Sequence, residues 1–124
     1  MILRLAPNLR APAEARGAVE RLAHRLRPKE CEALQLLVSE LVTNSVRHAR
    51  LGGREWIDVQ IELHPDAVRV TVSDPGRGFE PSSRTPRPHD TDGWGLFLVE
   101  RVADRWGVNS DGRTQVWFEL RRAD

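Results

Sequence analysis

The spacing of apolar residues changes halfway along this chain, and the change limits the folds open to it. Up to about residue 49, apolar residues recur at every third or fourth position, which is the period of an α-helix. From Ile57 onward they alternate with polar residues, as in a β-strand with one buried face. Helices followed by paired strands predict an α+β fold, a two-layer α/β sandwich in which three helices cover one face of a mainly antiparallel sheet.

The same periods, interrupted by proline and glycine, place the individual elements. Three helices are predicted, over residues 11–26, 29–49 and 93–104. Five strands are predicted, over residues 2–5, 57–63, 68–72, 106–110 and 114–120. Pro65-Asp66 and Asp111-Gly112 are expected to be hairpin turns, whereas residues 76–92 form a long polar connection.

Composition narrows the class of protein. With 124 residues the chain is expected to form a single domain, residues 1–124. The 19 basic and 18 acidic residues nearly cancel, which argues against a dedicated nucleic-acid binder. Cys31 is the only cysteine, so an internal disulfide is excluded and a reducing compartment is indicated. We expect a cytoplasmic protein without a membrane partner, because no apolar run approaches the roughly 18 residues that cross a bilayer.

Polar residues lie beside the apolar stripe of the second predicted helix. Leu34, Leu37, Leu41 and Ser45 form that stripe. Glu40 and Asn44 are about 40° apart around an ideal helix and lie along its edge. The edge is either a functional carboxylate–amide pair or a part of the helix that tilts into solvent.

An acidic residue continues the buried face of a strand. Val68, Val70 and Val72 point to one side, and the next residue of that parity is Asp74. A carboxylate there is costly unless it is hydrogen-bonded. The following residues, Pro-Gly-Arg-Gly at 75–78, let a flat ligand approach the backbone, although an Asp that starts a turn before Pro-Gly is equally consistent with them.

Thr114 extends the inward face of the last strand. It shares a parity with Val116, Phe118 and Leu120, so it would lie near Asp74 if the two strands are neighbours. The alternative is a β-branched residue that simply ends a strand, without a functional role.

Two glycines open the third predicted helix, in the sequence Gly93-Trp94-Gly95-Leu96. Exposed backbone N–H groups and the positive end of the helix dipole make such a start a natural anion site. An ordinary flexible helix entry explains the pattern as well.

Taken together, these features resemble the GHKL superfamily of ATP-binding domains. Within it, the chain is most similar to the bacterial anti-sigma-factor-like serine/threonine kinases. Residues 40–49 (Glu-Leu-Val-Thr-Asn-Ser-Val-Arg-His-Ala) resemble the N-box, residues 74–79 (Asp-Pro-Gly-Arg-Gly-Phe) the first glycine box and residues 93–96 the second. The resemblance covers nearly the whole chain and implies the Bergerat, or GHKL, ATP-binding fold.

The resemblance also implies roles for single residues. Asp74 would accept a hydrogen bond from the adenine amino group, Gly78 would pack against the base, and Thr114 would support Asp74 through water. Asn44 would hold Mg²⁺ on the triphosphate, and Glu40 would be the general base. Gly93 and Gly95 would cradle the phosphates, and Gly76 and Leu96 would also belong to the ATP-binding residues.

Other residues near these boxes carry weaker expectations. His48 is expected to pack rather than act in catalysis, and Ser45 replaces the family's usual alanine, a change expected to be mild. Trp94 departs from the small or basic residue that the second glycine box normally has. Three arginines flank or lie in the presumed lid, where one could neutralise phosphate, although a solvated loop charge is favoured for each: Arg77, Arg84 and Arg87.

The resemblance implies an ATP-dependent protein serine/threonine kinase that binds a sigma factor and phosphorylates an anti-anti-sigma (STAS-type) partner. A second hypothesis is a nucleotide-binding interaction module without useful catalysis, and a third is a structural domain in which the boxes are coincidental. A homodimer is possible, with its face on the first strand or helix.

Overall fold

The computed structural model is an antiparallel sheet with helices on one side, and it describes residues 1–48, 56–74, 94–109 and 113–122. The strands are β1 (Ile2–Leu5), β2 (Ile57–Leu63), β3 (Ala67–Asp74), β4 (Arg105–Asn109) and β5 (Thr114–Arg121). The helices are α1 (Ala11–Arg21), α2 (Pro28–His48) and α3 (Trp94–Val102), with a short 3-10 helix at Ala23–Arg25. The predicted two-layer α+β architecture is confirmed.

The sheet has the order β1-β2-β3-β5-β4, and each neighbouring pair is antiparallel. The two predicted antiparallel strand pairs are present, β2–β3 and β4–β5, whereas the turn predicted at Asp111-Gly112 lies outside the described residues. Strand β5, near the end of the chain, therefore lies beside the central strand β3. This pairing brings the last residue of β3 to the first residue of β5.

The core lies between the helices and one face of the sheet. Alternate residues of the strands point into it, as their spacing predicted. The helices contribute the stripe of α2 and the alanine-rich side of α1. The core residues with no more than 2% of their surface exposed include Leu5, Ala15, Val19, Leu34, Leu37, Val38, Val42, Ile57, Ile61, Val70, Val99 and Phe118.

The first helix is shorter than the sequence predicted. Its last residue is Arg21 rather than residue 26, because the backbone tightens at Leu22, whose N–H bonds to the carbonyl of Val19. Leu26 is already extended (φ −121°, ψ 149°) ahead of the next helix. Pro28 disfavours a helical conformation only at Arg27, the residue directly before it, so the end of α1 at Arg21 comes from the turn at Leu22.

The other boundaries lie within two residues of their predicted positions. The second helix begins at Pro28 rather than Lys29, and the third spans Trp94–Val102 rather than residues 93–104. The third strand extends past Val72 to Asp74, which takes the carboxylate into the regular sheet. Within the described residues, no helix is both long enough and apolar enough to cross a bilayer.

The other face of the sheet carries charged and aromatic residues. Trp117 lies under the guanidinium of Arg69, which is 4.2 Å from the ring centroid. Arg69 also forms an ion pair with Glu119, with 2.9 Å between Nη1 and Oε2. On the neighbouring strand the indole covers Gly107, which is paired with it in the register. The indole is therefore held flat over a backbone position that has no side chain.

Replacing Gly107 with alanine is expected to destabilise the protein. A Cβ atom there would lie 2.7 Å from Nε1 of Trp117 and 2.9 Å from Cε2, so the indole must leave its place under Arg69. Overpacking of this kind costs about 1–3 kcal/mol of the free energy of unfolding, which urea denaturation measures.

The matched control is Gly17→Ala in α1. Its Cβ would meet only Nη1 of Arg21, at 3.9 Å, so the substitution should stabilise the helix by about 0.5–1 kcal/mol. Equal effects of the two substitutions would contradict the close approach of Trp117 to Gly107.

Candidate functional site

A buried carboxylate ends the central strand of the sheet. Asp74 follows Val68, Val70 and Val72 on the inward face of β3, as its parity predicted, and only 5% of its surface is exposed. Burying a carboxylate costs free energy unless hydrogen-bond donors replace water. The surroundings of Asp74 must therefore supply such donors.

Ser45 supplies one of these donors from the helix layer. Its Oγ donates a hydrogen bond to Oδ2 of Asp74 over 2.6 Å, and the bond is buried. Ser45 lies in the apolar stripe of α2, where it is buried and contributes a polar hydroxyl group. The helical period placed Ser45 on the stripe, but its contact with Asp74 was not predicted. A hydroxyl at a core position of α2 was the signal that could have suggested one.

Thr114 lies opposite Asp74 in the sheet. The two residues are direct partners in the register of β3 and β5, and Thr114 is 3% exposed. The condition on which the predicted proximity depended, that the two strands are neighbours, is therefore met. The end of the sheet below α2 thus has a buried carboxylate beside a buried hydroxyl.

Glu40 and Asn44 lie on the same helix as Ser45. Both side chains are half-buried, as expected for residues at the edge of the stripe. Asn44 directly precedes Ser45, and Glu40 lies one turn before Asn44. Because Ser45 contacts Asp74, the C-terminal half of α2 brings a carboxylate and an amide to the same end of the sheet.

An arginine connects three strands at this end of the sheet, on the face opposite to Asp74. Arg113 donates from Nε to Oγ of Ser73 over 3.0 Å, and from Nη2 to the carbonyls of Ser73 and Trp56. Its Nη2 is also 3.8 Å from Oδ2 of Asp58. One guanidinium therefore joins the start of β2, the end of β3 and the start of β5. Arg113 was not predicted from the sequence, because no period or motif marks it.

Several predicted site residues lie outside the described part of the chain. These are Gly76, Gly78 and Gly93, together with the three lid arginines Arg77, Arg84 and Arg87. Gly95 and Leu96 are in the first turn of α3, but only their backbone is described. The side chains of His48 and Trp94 are likewise not described, and the roles of all these residues stay predictions.

The titratable side chains of the described residues differ in the chemistry that they suit. Among them, no three His, Cys, Asp or Glu side chains cluster in a way that would hold a metal ion. Burial and, to a lesser degree, the charge of Glu20 raise the pKa of the Cys31 thiol, so it remains protonated at neutral pH. The buried carboxylate of Asp74, in contrast, is suited to accept a hydrogen bond from an N–H group of a ligand at the end of the sheet.

Comparison with known proteins also relates the chain to an ATPase family. Residues 5–120 match the family described as the histidine kinase-like ATPase domain. The chain is 36% identical over 85 residues to serine-protein kinase RsbW of Listeria monocytogenes, an alignment that covers 59% of this chain and 54% of that protein. It is 31% identical over 88 residues to serine-protein kinase RsbW of Staphylococcus aureus, covering 60% of this chain and 55% of that one.

A solved structure resembles the whole fold. A crystal structure of the RsbU and RsbW domains of a Mycobacterium tuberculosis protein superposes with a TM-score of 0.75 at 20% identity. The match covers 98% of this chain and 31% of that one. The alignments with the curated relatives span only about half of those relatives' length.

Removing the hydroxyl of Ser45 is expected to destabilise the fold. Ser45→Ala deletes the buried donor to Oδ2 of Asp74. A hydrogen bond to a charged group contributes about 1.5–3 kcal/mol, so the free energy of unfolding should fall by that amount in urea.

The control is Ser39→Ala in the same helix. The hydroxyl of Ser39 bonds only to the carbonyl of Leu36, over 3.1 Å, and alanine is the better helix former. Its effect should lie within about 0.5 kcal/mol of zero. If both substitutions had that small effect, the Ser45–Asp74 bond would contribute nothing to stability.

Proposed function

Because this chain belongs to the histidine kinase-like ATPase family, we propose that it binds ATP at the end of the sheet marked by Asp74 and acts as a protein serine/threonine kinase. The observation that carries the proposal is the buried carboxylate of Asp74, held by Ser45 at the position where the family resemblance expects recognition of the base. A carboxylate at a core position is costly for a purely structural role, which favours a function for Asp74.

Adenine recognition fits the chemistry of the described residues. Ser45 engages Oδ2 of Asp74, so a hydrogen bond from an exocyclic amino group would be accepted by an orbital of the carboxylate that Ser45 does not use. Thr114 faces Asp74 across the sheet and would support the carboxylate through water. The flat base would lie beyond the strand ends, near Gly76 and Gly78.

Mg²⁺ fits a site with a single protein ligand. Mg²⁺ usually keeps several waters and is held through substrate phosphates together with few protein oxygens. The amide oxygen of Asn44 would be that ligand, and a cluster of carboxylates is not required. Bound Mg²⁺ would neutralise charge on the triphosphate, while the start of α3, with Gly93, Gly95 and Leu96, would offer N–H groups to the phosphates.

Glu40 would act as the general base. Its half-buried carboxylate lies one helical turn from Asn44, so it can face a nucleophile that approaches the metal-bound phosphate. Glu40 takes the proton from a serine hydroxyl or a water molecule. The oxygen of that nucleophile then bonds to the γ-phosphorus as the bond to the β–γ bridging oxygen breaks and ADP leaves.

The kinase assignment and the partners extend the family resemblance. The similar proteins of Listeria monocytogenes and Staphylococcus aureus are named serine-protein kinases. We therefore assign a sigma factor as the bound partner and an anti-anti-sigma (STAS-type) protein as the phosphoacceptor. The outer strand β1 or helix α1 would provide the face of a homodimer.

Asp74→Asn is expected to weaken ATP binding. The amide preserves size but removes the negative charge, and a hydrogen bond to a neutral acceptor is weaker than one to a carboxylate. The dissociation constant for Mg-ATP should rise at least about tenfold by isothermal titration calorimetry. Asp66→Asn changes the same residue type at an exposed position between β2 and β3, at the other end of β3 from Asp74, and should leave affinity unchanged. Equal affinity of Asp74→Asn and the unaltered protein would refute base recognition by Asp74.

Glu40→Ala is expected to separate binding from catalysis. Loss of a general base should slow ADP formation and phosphate transfer by about 10²-fold or more. The dissociation constant for Mg-ATP should change little, because Glu40 is assigned no contact with the base. Glu32→Ala, at an exposed position of the same helix, is the control and should retain the full rate. A Glu40→Ala protein that transfers phosphate at the normal rate would exclude this role.

A further inference from the structure

A second concave surface lies at the opposite end of the fold. It is a groove of about 620 Å³ bounded by the start of α2, the end of α3 and the end of β5. Most of its surface is formed by apolar atoms, and its lining includes the side chains of Pro28, Ala33, Val102 and Leu120. Val102 is 38% exposed.

The two acidic residues of this groove are already engaged by the protein itself. Oε1 of Glu30 accepts the backbone N–H of Arg27 over 2.9 Å, and its Oε2 is 3.4 Å from Nε of Arg122. The carboxylate of Asp104 accepts the backbone N–H of Arg121. Their negative charges are therefore used to fix the start of α2 and the end of β5.

The basic residues of the groove are not used in this way. Within the described part of the chain, the side chains of Arg27, Lys29 and Arg121 form no hydrogen bond or ion pair. Arg27 and Lys29 lie at the N-terminal end of the 21-residue helix α2, where the helix dipole adds positive potential. The side chain of Arg27, which precedes the helix, has only hydrogen-bond donors, so it cannot cap the first backbone N–H groups of α2. The groove therefore combines an apolar floor with a positive rim.

We infer that this groove docks an acidic amphipathic segment of a partner protein, with an apolar side chain on the floor and carboxylates at the rim. Two of the three cations, Arg27 and Lys29, lie at the start of α2, and Arg121 lies at the end of β5, so a complementary ligand needs at least two spaced carboxylates. A peptide with alternating apolar and acidic positions provides them, whereas a fatty acid has one carboxylate at one end. Opposite charges of this kind add specificity and faster association to the burial of apolar surface.

The groove is separate from the proposed nucleotide site. Along α2, the distance from Pro28 to Ser45 is roughly 25 Å, since each helical residue rises about 1.5 Å. Along β5, Thr114 lies at the nucleotide end and Arg121 at the groove. The inference therefore does not rest on nucleotide binding, and Asp74→Asn should leave docking intact.

The test uses the full chain and a short synthetic peptide with leucines on one helical face and glutamates on the other. Titration into the ¹⁵N-labelled protein without nucleotide should give saturable amide shifts at the groove, above all at Lys29, Ala33 and Asp104. Raising the salt concentration should weaken binding, because the rim charges are exposed. Shifts concentrated at Asp74 and Thr114, or no saturable shifts, would overturn the inference.

Three comparison ligands test the chemistry of the groove. A peptide with lysines in place of the glutamates, a peptide with serines in place of the leucines, and decanoate should each bind at least about tenfold more weakly. Equal binding of the serine peptide would show a purely electrostatic surface, and tight binding of decanoate would show a lipid site. Either result would overturn the inference, as would equal binding of the lysine peptide.

Charge reversal tests the rim directly. The double substitution Arg27→Glu and Lys29→Glu should weaken peptide binding at least about tenfold, and the unfolding midpoint shows whether the fold is retained. Val102→Asp places a carboxylate on the floor and should also weaken binding. The control substitutions Arg10→Glu and Arg21→Glu make the same change of charge at the exposed residue before α1 and at its exposed last residue, and should not alter affinity. If both pairs of substitutions weakened peptide binding equally, the interaction would depend only on the net charge of the protein, and the inference would be overturned.

Discussion

The burial of one carboxylate between the two layers constrains the rest of the candidate site. Asp74 is 5% exposed, and an ionised side chain in that position is tolerated only where donors replace its water. Ser45 provides a donor from α2 at 2.6 Å, so the helix cannot shift along the sheet without breaking a buried bond. This single contact fixes where Glu40 and Asn44, on the same helix, lie relative to the end of β3. The hydrogen bond thus stabilises the fold and also relates the position of the site residues on α2 to the end of β3.

The architecture was predictable because it depends on local periods. The change from helical to strand spacing near residue 50 was sufficient for the two layers, and parity alone placed Asp74 on the inward face. The contacts of Ser45 and Arg113 were not predictable, because each depends on which elements become neighbours in three dimensions. The predicted end of α1 was wrong because Leu22 and Leu26 continue the apolar helical period, whereas the backbone leaves the α-helix at Leu22 and forms a 3-10 turn.

The two faces of the sheet are stabilised differently. The inward face is packed with aliphatic residues, whose burial supplies most of the folding free energy. On the outer face, Glu119 pairs with Arg69 and lies 3.6 Å from Arg105, and both guanidinium groups lie over Trp117. Exposed ion pairs contribute little on their own. Their effect here is to hold the indole over Gly107, which shields the backbone where the edge strand β4 joins the sheet.

The same two helices connect the proposed nucleotide site with the groove at the other end. Helix α2 carries Lys29 at one end and Ser45 at the other, and α3 runs from the second glycine box to Val102. A helix packed on a dense core shifts as a unit more readily than it bends. A displacement of α2 at its groove end would therefore also move Ser45 relative to Asp74. Linkage requires any resulting coupling to be mutual, so nucleotide would change the affinity for the segment by the same factor as the segment changes the affinity for nucleotide.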